Sequence, residues 1–310
     1  MVAIRSPARN TDGMGTFKRS FGLVKSSWLV LREDKELMWL PVISGIATLL
    51  TAAPFLLGAA GLFVVDGGTT STATTDQTSQ SIGPAGIGGL ALVLVAYFVA
   101  AYVAIFFQAA LVLAANERMT GGDPTVRSAL AAAWQHKGRI AGWAAISASV
   151  SFILQSLEQR AGVVGRIAVG LVGMAWALVT MLVLPILVIE QVGVKEAFTR
   201  SATAFKRTWG ENVVGNGGIG LVSFLAALVV VVCAVPFLAL GAAAGGGAAG
   251  GIMLAIGIAV AVVGLVLVTV FSAALSGVFR TALYRYAMLG EEFGGFTHEQ
   301  IAGAFKPKKS

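Results

Sequence analysis

Two glutamines are the strongest candidates for polar chemistry inside the long apolar stretches of this chain. Gln108 and Gln155 each place a primary amide among apolar residues. An amide carries two donor hydrogens and an acceptor oxygen, so it needs several hydrogen-bond partners where water is absent. Those partners are either a polar ligand bound between helices or a side chain of a neighbouring helix. Gln108 and Gln155 are therefore candidates for a polar pathway or for interhelical packing.

Glu190 is the third candidate, because it closes an apolar stretch five residues after Pro185. Proline has no N–H for the regular helix bond and kinks or breaks a helix. A carboxylate beside such a kink would bind a cation or a basic partner. As a structural group, it would pair with Lys195 or Arg200, an ordinary and weak surface interaction.

The other chemistry-bearing residues predict no catalytic, cofactor or metal site. His136 and His298 stand in no metal-binding or triad spacing, and Cys233 is the single cysteine. Residues 215–220 match the dinucleotide fingerprint G-x-G-x-x-G. That fingerprint needs a strand before it and an acidic residue about twenty positions after it, whereas an amphipathic helix and apolar residues are expected here. We expect a protein that is not an enzyme and needs no cofactor.

The candidate residues lie in or next to six apolar stretches that contain no Asp, Glu, Lys or Arg. The stretches cover residues 37–65, 86–115, 140–157, 167–189, 213–240 and 252–279. A bilayer core of about 30 Å requires about 20 apolar residues in a helix, and backbone polar groups in lipid must be satisfied within the segment. With 56% hydrophobic and 12% charged residues, the sequence predicts an all-α polytopic membrane bundle of six transmembrane helices.

The basic residues predict which loops face the cytoplasm. The segments that flank the stretches fall into two alternating sets. One set contains 20 Lys and Arg in total, and the other contains 2. The positive-inside rule then places the N-terminus, the C-terminus and the loops at 116–139 and 190–212 in the cytoplasm. The net charge of +7 is explained by anionic lipid headgroups rather than by nucleic acid.

A repeated amphipathic segment precedes the first, third and fifth stretches. Residues 17–28 and 198–209 share their aromatic spacing and an Arg-Ser pair, and residues 127–134 form a degenerate copy. Such segments lie in the headgroup plane with Lys and Arg toward lipid phosphates, so we expect three pairs of spans, each introduced by a cytoplasmic interfacial helix. The predicted interfacial anchors are Trp28, Trp134, Trp209, Arg19, Arg127 and Arg200.

The predicted domain organisation has three parts. Residues 1–15 are expected to be a disordered cytoplasmic N-terminus, residues 16–289 form the six-span membrane domain, and residues 290–310 form a basic tail that contains Lys306, Lys308 and Lys309.

The junction at residues 184–201, LPILVIEQVGVKEAFTRS, resembles the signature of an uncharacterised prokaryotic family of six-span membrane proteins. The segment at 27–37 and Pro41 also resemble the start of that family. A looser resemblance extends to the membrane domains of bacterial glycerophosphodiester phosphodiesterases, whose catalytic domain has no counterpart here. The resemblance implies a bacterial or archaeal plasma-membrane protein of unassigned function.

Two functional hypotheses follow. The first is a non-enzymatic scaffold or accessory component of envelope or lipid-related machinery, with membrane lipids and an unidentified membrane protein as partners. The second is a facilitator that moves a lipid or a small uncharged solute along a groove lined by Ser, Thr and Gln.

Overall fold

A computed structural model describes residues 38–65, 84–244, 247–285 and 288, with all of their side chains except those of 206–219, 221 and 248. Within these residues the secondary structure is helical and contains no strand. The helices are α1 (Trp39–Val65), α2 (Pro84–Met119), α3 (Val126–Gln135), α4 (Lys137–Arg160), α5 (Val163–Thr180), α6 (Val183–Ile189), α7 (Val194–Ala243) and α8 (Ala248–Tyr284). Arg19 and Trp28, with the proposed first interfacial segment, lie outside the described residues.

Six segments of the described chain are long and apolar enough to cross a membrane. They are Trp39–Val65, Pro84–Met119, Lys137–Arg160, Val163–Ile189, Val222–Ala243 and Ala249–Tyr284. The fourth of these combines α5 and α6, and the fifth is the second half of α7. The prediction of an all-helical protein with six membrane-capable helices is therefore confirmed. Their arrangement in three pairs stays a prediction.

The described residues divide into two compact units. One contains Trp39–Ala114 and Asp123–Ser201, and the other contains Ala115–Gly122 and the chain from Ala202 onward. Both α2 and α7 contribute residues to each unit.

In the first unit, α1 and α2 approach each other at glycines, and α2 is tied to α4. A Cβ atom at Gly58 would lie 3.2 Å from a Leu92 methyl group, and one at Gly89 would lie 3.0 Å from the Phe63 ring. The Tyr97 hydroxyl donates a hydrogen bond to the Ala148 carbonyl at 3.3 Å. Helix α4 also packs against α5 and α6.

The ends of α2 and α3 follow the local sequence. Gly121, with a φ of 85°, follows α2 in the left-handed conformation, and the N–H groups of Gly121 and Gly122 bond to the carbonyls of Arg118 and Glu117. This is the Schellman arrangement that glycine favours. At the start of α3, Thr125 and Ser128 form a reciprocal capping box.

The two described copies of the amphipathic segment differ in structure. The copy at residues 127–134 lies in α3, a separate ten-residue helix. The copy at 198–209 is the first part of α7, which is a continuous helix of 50 residues. A separate short helix is therefore present before α4, whereas no helix boundary separates the second copy from its span. The interfacial position of both copies stays a prediction.

In the second unit, α7 and α8 pack closely through small residues. A Cβ atom at Gly241 would lie 2.6 Å from Leu254 Cγ, 2.8 Å from the Leu254 backbone nitrogen and 3.0 Å from the Gly250 carbonyl oxygen. The hydroxyls of Ser223 and Ser272 form a hydrogen bond of 2.7 Å between the same two helices. Small residues that let backbones approach are the usual means of helix association in membranes.

The close approach at Gly241 generates a stability prediction. We expect Gly241→Ala to lower the thermal unfolding temperature of the protein in nanodiscs, because overpacking costs about 1–3 kcal/mol and two of the atoms it would meet are backbone atoms. Gly251→Ala on α8 is the matched control, since nothing lies within 4 Å of a Cβ atom there. Equal unfolding temperatures for the two variants would contradict the close packing.

Candidate functional site at the junction of α5, α6 and α7

The fourth span is interrupted at Met181 and Leu182. Helix α5 ends at Thr180 and α6 begins at Val183, two residues before Pro185. Pro54 and Pro236 lie inside the continuous helices α1 and α7. Of the three prolines, Pro185 is thus the one that accompanies a broken span.

Ser201 satisfies a carbonyl at this break. Its hydroxyl donates a hydrogen bond of 2.5 Å to the carbonyl of Val179, and Ser201 itself is only 1% exposed. In a continuous α-helix, the carbonyl of residue 179 would accept the N–H of residue 183. An unsatisfied backbone group in apolar surroundings is costly, so Ser201 provides a partner that the interrupted helix lacks.

Glu190, Glu196 and Arg200 form an ion-paired network next to this bond. The Arg200 guanidinium binds the Glu190 carboxylate with Nη1 and the Glu196 carboxylate with Nη2 at 2.5 Å. The hydrogen bond to Glu196 and the negative charges of both glutamates raise the pKa of Arg200. The network ties the end of α6 to the first turns of α7, at a partly exposed surface where such pairs contribute modestly.

The backbone between α6 and α7 turns sharply. Gln191 has a φ of 57°, the left-handed region that L side chains seldom occupy and that commonly ends helices. Because Gln191 follows Glu190 directly, the turn brings the chain back so that Arg200 reaches the Glu190 carboxylate.

Aromatic rings join α4, α5 and α7 at the same junction. The Trp143 and Trp176 rings are stacked with their centroids 6.2 Å apart, and Phe198 lies 5.8 Å from Trp176. Residues 183–188 of α6 are all buried, whereas no residue of α5 is. The part of the span beyond the break is therefore enclosed by protein.

Sequence reasoning found Glu190 and Arg200 but missed Ser201, Trp143 and Trp176. The recurring Arg-Ser pair was the available signal for Ser201. It does not predict one role, because Ser128 of the second copy caps α3 whereas Ser201 bonds to another helix.

Gln108 and Gln155 lie elsewhere, on α2 and α4. Both are exposed, and neither takes part in any of the hydrogen bonds found among the described residues. Their assignment to a polar pathway or to packing stays a prediction.

The predicted interfacial anchors differ in their surroundings. Trp134 is 59% exposed, its ring meets Phe106 edge to face, and Lys137 Nζ lies 4.6 Å above it. Arg127 is exposed on α3. Trp209 belongs to α7, but its side chain lies outside the described set.

The described residues also bear on the metal-site and cofactor-site patterns. Across the described part of the chain, no three His, Cys, Asp or Glu side chains are placed to hold a metal ion. Residues 215–220, which match the dinucleotide fingerprint, lie inside the helix α7 and not in a loop. His136 is buried between α3 and α4, and its Nδ1 is 3.2 Å from Arg139 Nη1. Burial and the nearby Arg139 charge lower the pKa of His136.

The bond from Ser201 generates the second prediction. Ser201→Ala removes the hydrogen-bond partner of the Val179 carbonyl in apolar surroundings, so we expect it to lower the free energy of unfolding by about 1–3 kcal/mol in denaturant titrations of the reconstituted protein. Ser156→Ala is the control, because that hydroxyl bonds only within its own helix, to the Phe152 carbonyl. An equally small effect of both substitutions would rule out this role for Ser201.

The lowered pKa of His136 generates a pH prediction. Because the folded protein binds the His136 proton less readily than the unfolded chain, stability falls as the pH drops below the ordinary histidine value of about 6.5. His136→Gln should reduce the difference between the unfolding temperatures measured at pH 7.5 and pH 5.5. An unchanged difference would show that His136 does not contribute to this pH dependence.

Comparison with known proteins places the chain in a family without assigning an activity. A model described as a family of unknown function (DUF6159) matches residues 87–295, which is well over half of the chain and includes the whole junction. The search of curated proteins and the search of solved structures found no match. The looser resemblance to glycerophosphodiester phosphodiesterases therefore receives no support. The chain, with its six membrane-capable helices and its broken fourth span, belongs to this family of unknown function, DUF6159.

Proposed function

We propose that this membrane protein is a non-enzymatic scaffold or accessory subunit that binds a second membrane protein in envelope or lipid-related machinery. The observation that carries the proposal is the exposed amide of Gln108 on α2.

Gln108 lies nine residues before Glu117, the first charged residue toward the end of α2. At 1.5 Å per residue, the separation is about 13 Å along the helix, which is deep enough to remove the amide from water if Glu117 lies at the membrane surface. The neighbouring Ala109 and Ala110 are fully buried, so this part of α2 has a packed side and an open side. A primary amide on the open side favours a helix of another protein as its hydrogen-bond partner.

The hydroxyl groups of the spans support binding to a partner over passage of a polar solute. Thr51, Thr180 and Thr269 bond to carbonyls of their own helices, and Ser223 and Ser272 bond to each other. These five hydroxyl groups are engaged within the protein, so they are not available to line a polar groove. The proposal assigns no catalytic residue and no cofactor.

Location and orientation are part of the proposal. The alternating totals of basic residues favour a plasma membrane with the N-terminus, the C-terminus and α3 on the cytoplasmic side. Lys137 above the exposed Trp134 ring is a suitable pair for that interface, because the ring is apolar and the ammonium group reaches headgroups or water.

The broken fourth span favours the facilitator as a second candidate, since interrupted helices line the binding sites of many transporters. In this chain the segment beyond the break consists of buried apolar residues, and Ser201 occupies the carbonyl of Val179. A facilitator would therefore require a conformational change that opens the protein at the break between α5 and α6.

Gln108→Leu tests the proposal. We expect the purified variant to unfold at the wild-type temperature or above, because the amide forms no hydrogen bond with the described residues. In nanodiscs prepared from native membranes, quantitative mass spectrometry should show one stoichiometric membrane-protein partner with the wild type and a loss of that partner with Gln108→Leu.

Gln155→Leu is the matched control. Gln155 is also exposed, but it lies three residues from Glu158, near the charged end of α4. The Gln155→Leu variant should therefore retain the membrane-protein partner. Solute flux in liposomes that contain only this chain, abolished by Gln108→Leu, would instead establish the facilitator and overturn the scaffold.

A further inference from the structure

We propose that the end of α8 binds the phosphate group of an anionic lipid through the guanidinium of Arg280, with Arg285 supplying a second positive charge. This inference deepens the proposed association with anionic headgroups and does not depend on the identity of a protein partner.

Arg280 is a partly buried cation that has no counter-charge among the described residues. Its Nε atom is buried and forms no hydrogen bond. Among the described residues, no carboxylate lies within ion-pair distance of its guanidinium. Its neighbours Phe279 and Thr281 are buried, and the Thr281 hydroxyl is bonded to the Gly277 carbonyl of its own helix. The adjacent hydroxyl therefore does not satisfy the guanidinium.

A guanidinium that is partly removed from water favours an anionic partner, because arginine does not lose its proton in proteins and desolvation of a charge without a partner is unfavourable. The missing group is an anion. A phosphate fits best, since its oxygens match the planar fork of N–H donors that arginine presents.

Arg285 adds a second positive charge near the same end of α8. It lies five residues after Arg280, about 7.5 Å further along the helix, and is buried. Its Nη1 donates a hydrogen bond of 2.7 Å to Asn116 Oδ1, which fixes the guanidinium against the end of α2. Asn116, Arg280 and Arg285 all belong to the same compact unit.

The position of Arg280 along its helix favours a lipid as the source of the phosphate. The preceding residues 252–279 carry no charge and span about 42 Å, more than the bilayer core of about 30 Å. Arg280 is the first charged residue beyond them, so it reaches the headgroup region. Basic pockets between transmembrane helices at the cytoplasmic side are known binding places for anionic headgroups.

The test uses the full chain in nanodiscs of defined lipid. Wild type, Arg280→Gln and Arg127→Gln are compared in phosphatidylcholine, in phosphatidylcholine with phosphatidylglycerol, and in phosphatidylcholine with inorganic phosphate added. Arg127 is the control because it is an exposed arginine on α3. The readouts are the thermal unfolding temperature and the number of phosphatidylglycerol molecules retained in native mass spectra.

We expect phosphatidylglycerol to stabilise wild type and Arg127→Gln, and the retained lipid to bind at least about tenfold more weakly to Arg280→Gln, as expected for a lost charged hydrogen bond. Stabilisation by inorganic phosphate alone, with the same dependence on Arg280, would contradict a lipid as the ligand and establish free phosphate in its place. Equal lipid retention by all three proteins would contradict the proposed lipid-binding site at Arg280. If Arg280→Gln does not fold, Arg280→Lys keeps the charge, and an unchanged affinity in that variant would exclude recognition by the guanidinium fork. Loss of a protein partner changes none of these readouts, so the two proposals fail separately.

Discussion

The hydrogen bond from Ser201 to Val179 is the contact on which the junction depends. An interrupted helix in apolar surroundings exposes carbonyls that water cannot reach, and the fourth span is interrupted two residues before α6 begins. The Ser201 hydroxyl compensates one of these carbonyls from the start of α7. The same turn of α7 carries Arg200, so the Ser201 hydrogen bond holds α7 to the end of α5 while the ion-paired network with Glu190 holds it to the end of α6.

Several other polar groups of the spans follow the same constraint. The hydroxyls of Thr51, Thr180 and Thr269 bond to carbonyls of their own helices, and a serine pair joins α7 to α8. Packing between helices then relies on contact at short distance, as at Gly58 and Gly89 between α1 and α2 and at Gly241 between α7 and α8. Since lipid tails are as apolar as leucine, close packing and a few hydrogen bonds are the interactions that distinguish one helix arrangement from another. Gln108 and Arg280 depart from this pattern, and these departures are the basis of the two binding proposals.

Much of the junction was accessible from sequence, but its geometry was not. Pro185 indicated a kink, and the pairing of Glu190 with Arg200 was one of two structural alternatives. The stacking of Trp143 on Trp176 and the role of Ser201 depend on residues that lie 33 and 22 positions from their partners. Local periodicity contains no information on contacts at that separation. The repeat likewise predicted three equivalent segments, whereas the described copies form a separate helix in one case and the start of a long helix in the other.

The sequence by itself determined the class of the protein. Long stretches without charge must be helices in a bilayer, because no other segment satisfies its own backbone there, and this reasoning required no knowledge of neighbours. Tertiary structure decided which polar groups are already bonded. The hydroxyls of Ser128 and Ser201 follow the same Arg-Ser pair, and only the packing of α7 beside the broken span gives the second one a carbonyl of another helix. In the same way, Gln108 is exposed and Arg280 is partly buried because of what packs around each helix. The surroundings of a polar residue in a membrane protein decide whether it is bonded within the chain or available to a partner, since the cost of burying it depends on the partners within reach.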